Sequence, residues 1–178
     1  MPPKPVRRRN PHFFSQEDYA AALAGEKNLQ EAALGGANLQ GANLRGVRLQ
    51  DANLTDAVLS EAELSGASFT RAIMLRAHMT GANLSGSRLS DADLRDAVLQ
   101  DVNLQHATLI KSDLRGAYLG YADLRDANLR GADLRNADFD HANLSGANLV
   151  GAVLDGASFK GANVKGTILD SAVARKRR

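Results

Sequence analysis

Hydrophobic and small residues recur with a period of five from Ala32 to Leu169, and the register never slips. The typical five-residue unit has Leu at its central position i, a small residue at i−2, a mostly polar residue at i−1, and variable residues at i+1 and i+2. The segment ADLRDANLRGADLRNADF (122–139) shows the pattern plainly. Of the 28 units centred from Leu34 to Leu169, 22 have Leu at i and 23 have Ala at i−2. A repeat this strict determines the fold class.

A period of five excludes both regular structures over any length. On an α-helix, five residues rotate by roughly 500°, so the leucines would spiral around the axis. On a strand, an odd period would place successive leucines on opposite faces. The pattern fits a chain that bends once per unit, with i−2 and i pointing inward and Gly or Asp turning the corner at i+2. Four bends close a coil of about 20 residues, which predicts an all-β solenoid of about seven coils stacked at ~4.8 Å.

The units from about Leu29 to Ala174 resemble the pentapeptide-repeat family. The resemblance implies a right-handed quadrilateral β-helix over 26–174. It also implies two properties known for some members, which are dimerisation through the C-terminal coils and protection of DNA gyrase from quinolones or toxins.

The segment before the repeats predicts a basic disordered arm (1–14) and a capping helix (15–25). Ser15 is a good N-cap with Asp18 three residues on, and Phe14 and Tyr19 are spaced as a hydrophobic staple. We expect a helix over 16–24, with Tyr19 and Leu23 covering the first coil. The other end is a basic tail (175–178).

Charge and composition narrow the class further. The repeat body, 26–174, carries 14 basic and 18 acidic residues, and its net charge of −4 comes entirely from 91–140. The chain has no cysteine, which fits a cytoplasmic protein and excludes thiol chemistry. No apolar run of 18 residues is present, and the basic start is not followed by the apolar stretch of a signal peptide.

Function has to be sought in columns, because residues 20 apart should lie above one another. Stacked Asn residues such as Asn83 and Asn103 can form ladders. Two further sets share a face or a corner. The first is a charged set that is either a solvated lattice or an anion-binding strip: Asp93, Asp113, Asp133, Arg95, Arg115 and Arg135. The second is either a partner-binding stripe or ordinary surface scatter: Val58, His78, Val98, Tyr118 and Tyr121.

The last coils show no lid in the sequence. They carry apolar residues at outward or terminal positions: Val150, Val153, Val164, Ile168 and Val173. These are candidates for a homodimer interface. The alternative is that the RKRR tail blocks edge pairing by charge and keeps the protein monomeric.

No catalytic or metal-binding pattern is present. His12, His78, His106 and His141 share no column, and an interior filled with Ala and Leu leaves no substrate pocket. The sequence therefore predicts a non-enzymatic protein-interaction module without cofactor or metal. The alternative is a DNA mimic that protects a type II topoisomerase, which would need roughly 20 negative charges along a 34 Å rod. The basic tails suggest nucleic-acid binding only weakly.

Overall fold

The computed structural model describes residues 14–168. The predicted basic arm (except Phe14), the basic tail and Val173 lie outside the described residues. One α-helix, α1 (Gln16–Leu23), is followed by single-residue parallel β-bridges that run without interruption from Asn28 to Ile168.

Each coil takes 20 residues. The bridges join residues 20 apart, from Asn28–Arg48 to Asn148–Ile168, and every one is parallel. Each unit of five residues forms one side, so four sides complete a coil. Each of the four faces is named after one outward residue and includes the corner that follows it in the chain. The inward residues of each face lie 20 apart. They run from Leu34 to Leu154 on the Arg95 face, from Leu39 to Phe159 on the Val98 face, from Leu44 to Val164 on the Asn103 face and from Leu29 to Leu149 on the Thr108 face.

The interior is the solid Leu and Ala column that the period predicts. Leu84, Leu104 and Leu124 succeed one another on one side and are all fully buried. At the last coils, the rings of Phe139 and Phe159 stack with centroids 5.0 Å apart and an interplanar angle of 3°. Burial of one such side chain contributes about 1.5–3 kcal/mol, so stability accumulates coil by coil.

Every described corner is left-handed. The i+2 residues from Glu31 to Gly166 have φ between +53° and +75°, and fifteen of them are not glycine. The high content of Gly and Asp at these corners follows, because these residues tolerate positive φ best. Bulky residues such as Tyr121 (φ +59°) occupy the same conformation at a cost.

Helix α1 begins at Ser15, whose Oγ accepts a hydrogen bond from the Asp18 N–H at 3.2 Å. The rings of Phe14 and Tyr19 lie 5.5 Å apart, as a hydrophobic staple requires. The helix ends at Leu23, one residue before the predicted end, and Gly25 follows with φ +75°.

The helix covers the first coil differently from the prediction. Leu23 is 58% exposed, so the expectation that it covers the first coil is wrong, and Ala21 and Ala22 are buried instead. The Asp18 side chain is only 2% exposed and accepts the N–H of Ala33 at 2.9 Å, while Tyr19 Oη donates to the carbonyl of Asn38 at 3.0 Å. Small residues let the helix lie close to the coil, and polar contacts fix it there.

Candidate functional site

In the inner coils, the backbone of each unit leaves one N–H group without a backbone partner. In the unit 102–106, four N–H groups donate to backbone carbonyls within the turn or in the adjacent coils. The fifth, at Gln105, donates to Oδ1 of Asn103 at 3.1 Å. The Asn or Asp at i−1 is therefore an acceptor for the i+1 N–H, which is a short Asx turn. Ladder bonds between coils also occur, as from Asn163 to Asn143 at 3.1 Å.

The same contact recurs in half of the 28 units. Fourteen side chains accept the N–H two residues on: Asn38, Asn43, Asn53, Asn83, Asp93, Asn103, Asp113, Asp123, Asn128, Asp133, Asp138, Asn143, Asn148 and Asn163. Two faces depart from this rule over four successive coils. They are the Thr108 face, with Arg48, Ser68, Arg88 and Thr108 at i−1, and the Val98 face.

On the Val98 face the i−1 column is apolar or aromatic. Val58, His78, Val98 and Tyr118 follow one another through parallel bridges, and Tyr118 is 50% exposed. None of these side chains accepts the N–H at i+1. Within residues 14–168, the N–H groups of Ser60, Thr80, Gln100 and Gly120 have no acceptor. The face therefore has a row of N–H groups without acceptors beside a row of apolar and aromatic side chains, although Gly120 itself is buried.

Tyr121 extends this surface around the corner. Tyr121 is 63% exposed, and its ring stacks on the ring of His141 in the next coil, with centroids 5.0 Å apart and an interplanar angle of 9°. The left-handed conformation of a tyrosine costs roughly 1–2 kcal/mol, which a Gly at this corner would avoid. The stacking partly fixes the ring position.

Charge is segregated between the faces. From Asn38 to His141 the Val98 face carries no Lys or Arg, and its first basic residue besides histidine is Lys160. It carries four acids: Glu61, Asp101, Asp138 and Asp140. All ten arginines of residues 14–168 lie on the other three faces: Arg45, Arg48, Arg71, Arg76, Arg88, Arg95, Arg115, Arg125, Arg130 and Arg135.

The charged set of the Arg95 face forms one continuous network. Each arginine binds the aspartate two residues before it at 2.6–2.7 Å, in the pairs Asp93–Arg95, Asp113–Arg115 and Asp133–Arg135. Arg95 and Arg115 also reach the aspartate of the next coil at 3.8 and 3.7 Å. The solvated lattice is thus the arrangement observed, and its guanidinium groups are engaged with carboxylates of the protein itself.

These pairs alter the ionisation of the aspartates. The hydrogen bond from Arg135 lowers the pKa of Asp133, and that from Arg125 lowers the pKa of Asp123. Burial raises the pKa of Asp93, but hydrogen bonds and charge from Arg95 outweigh it, so the net shift is downward. On the Val98 face, the hydrogen bond from Ser158 lowers the pKa of Asp140.

The predicted dimer residues lie where the described part of the rod ends. Val153 is 41% exposed and Ile168 is 53% exposed, while Val150 and Val164 are half-buried. The Val150 N–H is bound to Asn148 Oδ1 at 3.1 Å. The four residues come from four different positions around the last two coils.

Other kinds of site find no support in residues 14–168. No group of three or more His, Asp or Glu side chains in this range could hold a metal ion. No helix in the described part of the chain has the length and hydropathy needed to cross a bilayer.

The sequence indicated the stripe but missed its charge environment and its free N–H groups. The sequence groups the acidic residues in the stretch 91–140, whereas the structure divides them between faces. Asp123 and Asp133 form ion pairs with arginines of their own faces. Asp101 and Asp138, on the Val98 face, do not do so within the described coils. Sorting the charges by residue number modulo 20 could have shown this. The free N–H groups depend on the hydrogen-bond pattern, which the period alone does not give.

Comparison with known proteins agrees with the architecture. The profile of the family described as pentapeptide repeats matches in eight copies over 28–61, 62–101, 77–116, 97–136 and 132–170. The pentapeptide-repeat protein Rfr23 from the cyanobacterium Cyanothece 51142 is 38% identical with a TM-score of 0.51, over 52% of this chain and 64% of that protein. No curated protein sequence matches significantly.

A second structure has the same fold at low identity. A trypsin-treated form of QnrB1, a plasmid-mediated fluoroquinolone resistance protein, is 17% identical with a TM-score of 0.50, over 84% of this chain and 93% of that one. At this identity the likeness concerns the fold alone. The family profile spans most of the chain and coincides with the bridged coils, so the protein belongs to the pentapeptide-repeat family and its coils form a right-handed β-helix.

Proposed function

We infer that this protein is a non-enzymatic protein-interaction module, and that its partner binds along the Val98 face. Pentapeptide-repeat proteins are generally structural or interaction modules. The filled interior offers no substrate cavity, so binding has to use the outer surface. We propose a cytoplasmic location for the complex.

The observation that carries the proposal is the replacement of the Asx acceptor by apolar or aromatic residues in four consecutive coils, whereas the Thr108 face replaces it with polar residues. Asn at i−1 would satisfy the i+1 N–H and stabilise the coil, as it does in nine other units, with Asp doing so in five more. Val58, His78, Val98 and Tyr118 forgo that contact and leave apolar surface in water. Residues that cost stability but stay exposed are typical of a surface under selection for binding.

The test replaces all four residues with the residue that the repeat prefers. A Val58→Asn, His78→Asn, Val98→Asn and Tyr118→Asn protein should fold as well as the wild type, because each Asn supplies the missing acceptor. Affinity purification from cells, quantified by mass spectrometry, should then lose the specific partner that the wild type retains.

The Thr108 face provides a matched control. Arg48→Asn, Ser68→Asn, Arg88→Asn and Thr108→Asn make the same kind of change at the same unit position on the opposite side of the rod. This variant should keep the partner. Identical partner sets for the two variants would show that the Val98 face is not the binding surface.

A second candidate is DNA mimicry that protects a type II topoisomerase, and so gives quinolone or toxin resistance. The fold shared with QnrB1 motivates it. Its difficulty is electrostatic, because Asp93, Asp113, Asp123 and Asp133, which belong to the acidic stretch, are each bound by an arginine. A duplex presents one negative charge per ~1.7 Å, and this surface is far from that density.

A supercoiling assay with purified DNA gyrase tests the second candidate. If the protein mimics DNA, adding it should restore supercoiling in the presence of a quinolone, and Asp113→Lys with Asp133→Lys should abolish the effect. Protection that survives these changes but is lost with Val98→Asn and Tyr118→Asn would assign the topoisomerase contact to the Val98 face instead.

A further inference from the structure

The centre of the Val98 face is a pair of exposed tyrosines around one glycine. Tyr118 stands on the face and Tyr121 at its corner, and Gly120 brings no side chain between them. A Cβ at Gly120 would meet only the Asp140 carbonyl, at an ordinary 3.7 Å, so the backbone does not require glycine there. The absence of a side chain at 120 leaves the two phenol rings as the dominant groups of this surface.

The tyrosine at the corner is already ordered. Tyr121 is stacked on His141 and held by a backbone with few allowed conformations. A ring that is fixed before binding loses little entropy when a partner covers it. Exposed, rigid aromatic side chains are the residues that most often dominate binding energy at protein surfaces.

Carboxylates without ion-pair partners flank both rings. Asp138 follows Tyr118 through a parallel bridge, and Asp101 occupies the same corner as Tyr121 one coil earlier. Within residues 14–168 neither carboxylate forms an ion pair. Their charge is available to a partner, unlike that of Asp123 and Asp133, which arginines of the protein already bind.

The shape of the surface fits a single extended chain. From Val58 to Asp138 the column crosses four coil spacings of ~4.8 Å, a strip of about 19 Å. An extended segment of about six residues has this length. The free N–H group of Gln100, an exposed residue, lies in the same strip and can donate to a carbonyl oxygen of such a segment.

We propose that the Val98 face binds an extended, arginine-bearing segment of its protein partner. A guanidinium would lie on the tyrosine rings as a cation–π contact and donate to Asp101 or Asp138. Apolar side chains of the same segment would cover Val98 and Val58. This inference rests on the proposed function and adds the chemistry of the partner.

The probe is a fluorescein-labelled nine-residue peptide with the repeating sequence Arg-Val-Ser. Its binding to the full chain is measured by fluorescence anisotropy at about 0.15 M salt. A second peptide has citrulline in place of arginine, which keeps the shape and removes the charge. We expect the citrulline peptide to bind at least about tenfold more weakly.

Two matched pairs of variants locate the site. Asp101→Asn should weaken binding about fivefold or more, while Asp91→Asn, at a corner of nearly equal φ (+57° against +56°) on the opposite side, should change it less than about twofold. Tyr118→Asn should weaken binding about tenfold, and Thr108→Asn should not. If the two variants of either pair weakened peptide binding equally, the binding would be non-specific electrostatic or surface attraction, and the proposal would be overturned.

Two other results also overturn it. Equal affinity for the arginine and citrulline peptides would exclude recognition of the guanidinium. Binding that becomes tenfold tighter in an Arg7→Gln, Arg8→Gln and Arg9→Gln protein would identify the occupant as the basic arm of this chain.

If neither peptide binds while a cellular partner still requires the Val98 face, the partner chemistry is wrong and the proposed function stands. If the arginine peptide binds as described but all cellular partners survive the fourfold Asn variant, the proposed function fails instead.

Discussion

Single residues decide stability in this rod because each unit repeats the same contacts. The i−2 position shows this most sharply, since it faces the interior next to Leu. Ser87 and Ser112 both replace the usual Ala there and both are fully buried. Ser112 Oγ donates to the Leu109 carbonyl at 2.8 Å, whereas Ser87 Oγ has no partner in the described structure.

We expect Ser87→Ala to raise the free energy of unfolding by about 1 kcal/mol, because it removes an unsatisfied buried hydroxyl. Ser112→Ala makes the same change where the hydroxyl is satisfied, and should lower stability by about 0.5–1.5 kcal/mol. Urea denaturation monitored by circular dichroism measures both. Effects of the same sign would contradict the assignment of Ser87 as unsatisfied.

The Val98 face offers the complementary test, in which a missing hydrogen-bond acceptor is added. Val98→Asn supplies an acceptor for the free N–H of Gln100, so we expect the free energy of unfolding to rise by up to about 1 kcal/mol while partner binding falls. Hydrogen exchange of the Gln100 amide should slow at the same time. A large loss of stability would mean that this N–H already has an acceptor.

At the scale of elements, the structure consists of sides, corners and one helix. The sides need their neighbours, since a single coil buries no leucine without another above and below. Helix α1 meets this need at the first coil through two alanines and the polar contacts of Asp18 and Tyr19. Its stability therefore comes from docking more than from its eight residues, which are too few for an isolated helix.

Replacing the buried carboxylate should loosen this cap. Asp18→Ala leaves the Ala33 N–H without its acceptor, at a cost of about 1–3 kcal/mol. Native-state hydrogen exchange should show faster exchange at Ala33 and unchanged protection in the central coils. Glu17→Ala, in the same helical turn but exposed, is the control. Uniform loss of protection along the rod would show instead that the coils do not open independently.

The sequence predicted the sides and corners well and the cap less well, for a physical reason. Position i repeats 28 times, so the inward direction of Leu104 is overdetermined by its neighbours. Helix α1 occurs once, and nothing in its local pattern distinguishes burial through Ala21 and Ala22 from burial through Leu23. The Asn residues at i−1 were predicted to stack between coils, but their main contact is with the backbone two residues on. That contact follows from the corner geometry, which the period leaves open.

At the scale of the whole molecule, surface electrostatics couple stability to pH. Salt bridges lower the pKa of Asp123 and Asp133 below the ordinary aspartate value of 3.8. The folded state therefore binds fewer protons than the unfolded state in this range. The stabilisation is fully present above pH 3.8 and is lost as the pH falls through the lower folded values.

Unfolding free energy should accordingly decline below about pH 4, with each exposed pair contributing less than about 1 kcal/mol. Thermal melts between about pH 2 and 6 measure the slope of the unfolding free energy against pH. Asp133→Asn should flatten it slightly, and about 1 M NaCl should reduce it by screening. A slope confined to pH values above 5 would assign the effect to other groups.

We propose a homodimer through the C-terminal coils, motivated by the exposed Val153 and Ile168. Sedimentation should give about twice the chain mass at micromolar concentration, and Ile168→Glu should shift it towards the monomer. Thr108→Glu places the same charge at the same unit position of the same face in mid-rod, and should leave the mass unchanged. A wild-type monomer would rule the dimer out.

The pairing of residues 20 apart has a consequence for how such a chain can change its length. Loss of one unit of five keeps every later residue at its inward or outward position, so the rod still packs. It also rotates everything after the break by a quarter turn, and the column from Val58 to Tyr118 would continue on another side. Lengthening or shortening in steps of five thus preserves the fold and scrambles the binding surface, whereas steps of twenty preserve both. A replication slip of fifteen nucleotides could leave a perfectly folded relative with a different partner.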